Sequence, residues 1–206
     1  SVNELNEHET IPEFGEFLFI KTYMLSKSFE EKEEENFKLT FPKFTSSPKA
    51  AKQIVKPANH EQIIEEINFL KEGDYQLLQS KNYRVFLVTA ENIPNILHEI
   101  GRLREITFRE VGEGTNEAID LDKYDQYYHH MFLWDDDAQM IAGAYRMGFG
   151  SKIFPKYGLD GFYLNELFKF EPELNDMMSQ SIEMGRAFII SEYQQKPMPL
   201  FLLWKG

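Results

Sequence analysis

The order of the predicted elements indicates an α/β fold with a mixed β-sheet flanked by helices. Three observations lead to this prediction. The chain has 206 residues and is 42% hydrophobic, so it can bury one sizeable core and still carry an extension. Regular hydrophobic patterning begins at Tyr83, and the predicted order from there is strand, helix, hairpin, strand, helix. That order differs from a regular βαβ array, which would predict an all-parallel sheet.

The first 58 residues have a different pattern from the rest of the chain. A short helix with an apolar face is predicted over 14–25, and the acidic run 30–35 follows it. The basic stretch 43–56 is a candidate patch for an anionic partner, but a solvated linker is the favoured interpretation, because runs of charge usually have no other role. We therefore predict a helix and charged linker over 1–58, either the tail of an upstream domain or a brace, and a main domain over 59–206.

The main domain divides into helices and strands in order along the chain. A helix is predicted over 59–71 from its single apolar face, with Gly73 as a stop signal. A short strand over 83–88 precedes a longer helix over 94–109. The remaining predicted elements are the hairpin strands 128–134 and 139–147, a strand over 182–190 and a helix over 199–204.

The spacing within the helix over 94–109 defines two apolar stripes. The predicted core stripe consists of Ile96, Ile100, Leu103 and Ile106. Arg104 and Phe108 lie one turn apart on the neighbouring stripe, so both side chains are expected to point the same way.

Charge and composition exclude several classes of function. The net charge of -12 argues against non-specific nucleic-acid binding, which needs clustered lysine and arginine side chains. No run of about 18 apolar residues predicts a membrane span, while peripheral contact with a membrane stays open. The absence of cysteine excludes disulfides and thiolate sites, and it fits the reducing cytoplasm. The expected location is therefore the cytoplasm, including the inner face of the membrane.

Common metal and nucleophile motifs are incomplete in this sequence. His98 and Glu99 begin a zinc-protease pattern that lacks its final histidine. His129 and His130 are neighbours on a predicted strand and face opposite sides, so they cannot bind one metal together. No Gly-x-Ser-x-Gly nucleophile elbow is present. We therefore predict neither a metal site nor a serine nucleophile.

Three arginines and three acids stand at the ends of predicted elements and suit a charge network. They are Arg104, Asp122, Asp125, Arg146, Glu183 and Arg186. Judged by composition alone, such a set is a group of ion pairs that brace a sheet, since charge networks need not be catalytic. The strings around these residues favour a functional interpretation.

Five strings carry a family resemblance in both order and spacing. They are Leu103-Arg104-Glu105 with Phe108, Asp120-Leu121-Asp122-Lys123-Tyr124-Asp125, Gly143-Ala144-Tyr145-Arg146, Glu183-Met184-Gly185-Arg186 and Leu203-Trp204-Lys205-Gly206. Together they resemble the GNAT-like N-acyltransferases of ornithine-lipid and glycine-lipid synthesis, which are often labelled haemolysins. The same skeleton is similar to that of the N-acyl-homoserine-lactone synthases. The shared set therefore identifies the superfamily and leaves the acceptor amine open.

The resemblance implies a reaction, its partners and a GNAT-like sheet. A (3-hydroxy)fatty acyl group would pass from an acyl-carrier-protein thioester to the amine of an amino acid such as glycine or ornithine, without a bound cofactor. Residues 191–199 contain no glycine to cradle the coenzyme A pyrophosphate, which favours acyl carrier protein over acyl-CoA as the donor. In related proteins an O-acyltransferase domain is commonly fused upstream, and 1–58 would be its tail. A GNAT core also needs strands after the last predicted helix, so we expect the core to continue beyond Gly206.

Two other functions stay open at this point. One is an acyl-homoserine-lactone-synthase-like enzyme, which would make a lactone from S-adenosylmethionine. The other is a non-catalytic module that binds a carrier protein.

The predicted site centres on Glu183 and Arg186 as catalytic residues. Glu183 is the expected general base, because burial on a central strand would raise its pKa. Strand alternation places the two side chains on opposite faces, unless a bulge at Gly185 reunites them. Without a bulge, Arg186 would pair with Asp122 or Asp125 on the far side. The predicted substrate-binding residues are Arg104, Phe108, Asp122, Asp125, Arg146 and Trp134, although a core role is favoured for the two aromatic ones.

Overall fold

The computed structural model describes residues 50–206, and every structural statement below concerns that part of the chain. The helix predicted over 14–25, the acidic run and the start of the linker lie outside the described residues. The helices are α1 (His60–Glu72), α2 (Pro94–Glu110), α3 (Gly150–Tyr157), α4 (Leu164–Leu167), α5 (Asn175–Gln180), α6 (Ser191–Gln194) and α7 (Pro197–Lys205). The strands are β1 (Gln76–Ser80), β2 (Tyr83–Thr89), β3 (His129–Asp135), β4 (Met140–Phe149) and β5 (Ile182–Ile189).

The strands form one five-stranded sheet in the order β1-β2-β3-β4-β5. The predicted α/β class is confirmed. All four pairings between the described strands are antiparallel. The sequence predicted a mixed sheet, and this part of the sheet is antiparallel instead. The physical reason lies in the connections: each strand pairs with the next one along the chain, and two of the pairs are joined by tight hairpin turns that only antiparallel strands permit.

Local capping explains where the first two helices begin and end. The Asn59 side chain accepts a hydrogen bond from the Glu61 amide at 2.9 Å, and the Gly73 amide donates to Phe69 at the other end of α1. Glu66 of α1 accepts from the first backbone amides of α2, which starts at Pro94. The helices predicted over 59–71 and 94–109 are therefore confirmed to within one residue at each end.

Helices cover both faces of the sheet. Tyr145 of β4 contacts the Trp204 ring of α7, with centroids 6.4 Å apart, whereas the next residue, Arg146, points to the acids beside α2. Because neighbouring strand residues face opposite sides, α2 and α7 lie on opposite faces. The core between these layers includes Phe86, Ile96, Ile100, Phe132, Leu202 and Leu203. None of the described helices is both long and apolar enough to cross a membrane.

One buried face of α2 differs from the predicted stripe. Ile96 and Ile100 are buried as expected, but Leu103 and Ile106 are only half-buried. Arg104 takes the next position on the buried face and is 1% exposed. With the helix in this orientation, the Arg104 guanidinium reaches the acidic loop that follows α2.

A bulge interrupts β5 where it pairs with β4. Ala144 faces Phe188 and Arg146 faces Gly185, so a two-residue step on β4 matches a three-residue step on β5. Arg186 lies in the bulge with a φ of 52°, the left-handed region that non-glycine residues rarely adopt. Of the two alternatives that the sequence left open, the bulge near Gly185 is therefore the one present, with the extra residue directly after that glycine.

Candidate active site

Arg104 ties α2 to the loop that precedes β3. Its Nε lies 3.0 Å from Oδ2 of Asp120, and its Nη2 donates to Oδ2 of Asp125 at 3.0 Å. The same Nη2 also donates to the backbone carbonyl of Asp120. Because guanidinium and both carboxylates are almost fully buried, this contact holds the loop at one position relative to the helix.

Arg146 makes the second set of contacts to the same loop. Its Nη1 donates to Oδ1 of Asp122 at 2.6 Å and to Oδ2 of Asp125 at 3.1 Å. Three tyrosine rings surround the guanidinium, with centroids 5.3 to 5.6 Å from its carbon: Tyr124, Tyr128 and Tyr163. Cation–π contacts of this kind stabilise a desolvated guanidinium.

The acidic loop is shaped by its own hydrogen bonds. Asp122 caps the 3₁₀ turn Lys123–Gln126, and the Asp125 side chain accepts from the Asp122 amide in return. Burial acts to raise the pKa of Asp125, but Arg104 and Arg146 outweigh it and hold that pKa below its usual value. For Asp120 the balance is reversed, and burial raises its pKa despite the nearby arginines. The loop therefore holds an ionised Asp125 at its centre.

Arg186 reaches the cluster with longer contacts. Its Nη1 lies 3.4 Å from Oδ2 of Asp120, and its Nη2 lies 3.8 Å from Oδ2 of Asp122. Its guanidinium carbon is 5.6 Å from the centroid of the Tyr163 ring, and its side chain remains 22% exposed. Arg186 thus belongs to the cluster but lies at its open side.

Glu183 lies on β5 beside a buried tyrosine. The Tyr128 hydroxyl donates to Oε2 of Glu183 at 2.8 Å and accepts from the Tyr163 amide at 3.1 Å. Burial raises the pKa of Glu183 above its usual value, while the Tyr128 hydroxyl and the Leu164 amide act in the opposite direction. A carboxylate in this state is a stronger base than an exposed glutamate.

These side chains meet at one open cleft of about 190 Å³. Its lining residues are Phe108, Glu113, Tyr128, Arg146, Tyr163, Glu183, Gly185 and Arg186. The β5 bulge allows Glu183 and Arg186 to line the same cleft. Arg104, Asp122 and Asp125 stand behind it and hold Arg146 in place.

Trp134 does not belong to this cleft, which corrects its place in the predicted site. It lies four residues along β3 from His130, the partner of Arg146 in the sheet, and is therefore displaced by about 13 Å at ordinary strand rise. Its ring is 2% exposed, and its Nε1 donates to Asp136 at 3.1 Å. Its position fits the core role that the sequence favoured.

Several residues of the site were not selected from the sequence. Asp120 was not among the predicted site residues, although an acid two residues before Asp122 was a usable signal. Tyr128 and Glu113 had no distinguishing pattern, and Tyr163 falls in a stretch for which no element was predicted. Tyr128 directly precedes β3 and Tyr163 follows β4, so their contribution depends on how the segments flanking these two strands pack together.

The two neighbouring histidines face different surroundings, as predicted. His130 faces the acidic loop and contacts the Asp125 carbonyl at 2.8 Å, whereas His129 faces Lys152. Within 50–206, no group of three or more metal-ligating side chains is placed to hold a metal ion.

The chemistry available in the cleft is proton transfer beside fixed positive charge. A base, a tyrosine and two arginines can deprotonate an amine and bind an anionic group.

Comparison with known proteins gives two curated relatives. Residues 103–204 match the family model described as an acetyltransferase (GNAT) domain. A glycine N(alpha)-acyltransferase of Bacteroides thetaiotaomicron is 33% identical over 147 residues, which cover 69% of this chain and 43% of the relative. The protein of the same name from Phocaeicola vulgatus is 31% identical over 147 residues, which cover 69% of this chain and 44% of the relative.

The matched region thus spans less than half the length of these two relatives. No solved structure matches the chain. The family match covers α2 from Leu103 onward, the acidic loop, β3 to β5 and most of α7, and it therefore contains the cleft. The chain carries a domain of the GNAT acetyltransferase family.

Proposed function

We propose that this chain belongs to an N-acyltransferase that moves a fatty acyl group from a thioester to the amine of an amino acid. The observation that carries the proposal is Glu183, a buried carboxylate with a raised pKa that opens onto a cleft beside Arg186. The two curated relatives are named as glycine N(alpha)-acyltransferases, which supports a small amino acid as the acceptor.

In the proposed reaction, the free amine attacks the thioester carbonyl directly. A C–N bond forms and the C–S bond breaks, so that the products are an amide and a thiol. Glu183 accepts the proton that the ammonium group must lose, and the departing thiolate takes up a proton in turn. A positioned base of this kind contributes about 10² to 10⁴-fold to the rate. Tyr128 keeps the Glu183 carboxylate oriented toward the cleft.

Backbone amides of β5 are suited to stabilise the oxyanion that forms on the carbonyl. β5 is the last strand of the described sheet, and it carries Glu183. In the proposed reaction an amide of this strand donates to the oxyanion while Glu183 acts as the base.

An acyl carrier protein is the proposed acyl donor. Residues 191–199 lead from β5 into α7 without a glycine, and so they lack the Gly-rich turn that usually receives a nucleotide pyrophosphate. The phosphopantetheine of a carrier protein has no nucleotide and needs no such turn.

The proposed product is an aminolipid. The exposed side chains of Leu167 and Phe168 are a candidate contact with the inner face of the membrane.

Substitution of the base tests the proposed reaction. Glu183→Gln should reduce amide formation by about 10² to 10⁴-fold, because the amide side chain cannot accept the proton. The assay incubates the full-length protein with 3-hydroxyacyl carrier protein and a pool of amino acids and identifies the amide by mass spectrometry. Glu65→Gln is the matched control, since Glu65 is exposed on α1.

The outcomes separate the proposed function from its alternatives. Full turnover by Glu183→Gln would remove Glu183 as the base. A lactone formed from S-adenosylmethionine would indicate a homoserine-lactone-synthase-like enzyme. Carrier-protein binding without turnover would indicate a non-catalytic module.

A further inference from the structure

Arg186 has hydrogen-bonding capacity that its neighbours do not use. Its Nε is buried and has no hydrogen-bond partner among the described residues. Its two ion-pair distances, 3.4 and 3.8 Å, exceed the 2.6 to 3.1 Å that Arg146 makes with the same loop. A buried donor without a partner is unusual in a folded protein and indicates a missing partner.

The acids that face Arg186 are already engaged by other arginines. Oδ2 of Asp120 is 3.0 Å from Nε of Arg104, and Asp122 accepts from Arg146 at 2.6 Å. Arg186 is therefore the arginine of the cluster with the weakest protein contacts, and it is also a lining residue of the cleft. The Tyr163 ring beside it restricts how the guanidinium can turn.

The backbone at Arg186 supports the same conclusion. A φ of 52° is unfavourable for an arginine, and such strain persists where the surrounding structure or a function requires it. In a regular β5, the Arg186 side chain would leave the face that carries Glu183. The bulge thus places a fork of N–H donors in the same cleft as a base.

We propose that Arg186 binds the carboxylate of the acceptor amino acid, and that this contact selects α-amino acids over other amines. The inference rests on the proposed function and names the acceptor class for the same cleft. A zwitterionic amino acid presents an ammonium group and a carboxylate two bonds apart along its backbone. Glu183 receives the ammonium end, and Arg186 forms the paired hydrogen bonds that a guanidinium makes with a carboxylate.

Two features of the cleft limit which amino acids fit. The Phe108 and Tyr163 rings line the cleft beside Glu183 and Arg186, and the thioester carbon must enter the same space, which favours a small acceptor. Glu113 and Glu183 both line the cleft, and they disfavour an acidic side chain on the acceptor. Glycine satisfies both conditions.

The test compares two acceptors that differ only at the carboxylate. The full-length protein and its variants are assayed with 3-hydroxyacyl carrier protein and either glycine or glycinamide. Glycinamide lacks the carboxylate, and its amine loses a proton more easily, so it would be the better acceptor if the carboxylate were ignored. The wild-type protein should nevertheless prefer glycine by about 10- to 100-fold in kcat/KM, the value of a charged hydrogen-bonded pair.

Arg186→Gln should lower kcat/KM for glycine by about 10- to 100-fold, mainly through KM, and leave glycinamide almost unchanged. The kcat/KM of Arg186→Lys for glycine should lie between those of the wild-type protein and Arg186→Gln, since lysine keeps the positive charge and lacks the paired N–H donors of the guanidinium. Arg84→Lys is the control, because Arg84 pairs with Asp136 beside the β3–β4 hairpin and does not line the cleft. Thermal unfolding of each variant shows whether the fold is retained, and Arg186→Lys decides if Arg186→Gln does not fold.

The results overturn the inference in distinguishable ways. The wild-type protein could show equal kcat/KM for glycine and glycinamide, or the folded Arg186 variants could lose kcat/KM equally for both. Either result would show that Arg186 does not bind the acceptor carboxylate. Either result leaves the proposed acyl transfer standing. Acylation of neither acceptor by the wild-type protein would overturn the proposed function and the inference together.

Discussion

At the scale of single residues, the site is a balance of buried charges. Arg104, Arg146 and Asp125 are each at most 2% exposed, and each loses its hydration on folding. Buried ion pairs seldom repay that cost in net stability, although removal of one partner is strongly destabilising. The cluster therefore acts chiefly to position the acidic loop and Arg146 beside the cleft.

Glu183 lies at the edge of this cluster and should make stability depend on pH. Because its pKa is raised in the folded state, its contribution to stability is fully present below the unfolded pKa and is lost as pH rises through the folded pKa. A glutamine side chain at this position does not titrate. The thermal stability of Glu183→Gln, measured relative to the wild-type protein, should therefore increase as the pH rises from about 4 to about 8.

Thermal unfolding of both proteins at the two pH values checks this prediction. All other titrating groups are shared, so their effects cancel in the difference between variant and wild type. An equal difference at both pH values would mean that burial does not shift the pKa of Glu183.

At the scale of elements, the connection from β4 to α3 requires a glycine. The Gly150 amide donates to the Ser181 carbonyl at 2.8 Å, which joins the start of α3 to the residue before β5. A methyl group at Gly150 would collide with the Met178 carbonyl and lie 2.9 Å from that of Ser181. These are backbone atoms of the α5–β5 junction, and they cannot move away from the methyl group as a flexible side chain could.

Gly150→Ala should lower the free energy of unfolding by about 1 to 3 kcal/mol, the usual cost of forcing extra atoms into a packed site. Gly185→Ala is the matched control for stability, since a methyl group there meets nothing within 4 Å. Urea unfolding measures both. A Gly150→Ala protein as stable as the control would show that the junction is looser than the contacts indicate.

At the scale of the whole described domain, stability depends on two helical layers that cover the sheet. Leu203 of α7 is 1% exposed, while Leu200 of the same helix is 49% exposed. Leu203→Ala should lower the free energy of unfolding by about 2 to 5 kcal/mol, because it leaves a cavity in the core. Leu200→Ala should change it by about 0.5 kcal/mol or less.

Chemical denaturation of the two leucine variants measures the contribution of this layer. The same substitution on one helix separates burial from helix propensity. Equal losses in both variants would mean that α7 does not cover the sheet in solution.

Much of this architecture could be predicted from the sequence, because it depends on local patterns. The helix boundaries followed from Asn59, Gly73 and Pro94, which act within a turn of the residues they cap. The hairpin of β3 and β4 followed from alternating apolar residues on either side of a turn at 135–137. Helix α3 was missed, since it is short and contains Pro155.

The candidate site likewise combines features set by the local sequence with features set by tertiary contacts. The ordered arginines and acids, and a bulge near Gly185 as one of two alternatives, could be predicted from the sequence because they depend on spacing and residue type. The raised pKa of Glu183 was expected from burial on a central strand, but β5 is the last strand of the described sheet, and the burial that raises this pKa comes from tertiary packing. Only the tertiary structure decided which groups meet: it brought Tyr128 and Tyr163 to the cleft, gave Asp120 a place between two arginines and moved Trp134 out of the site. Those contacts join residues far apart in the chain, so they depend on tertiary packing and not on local spacing.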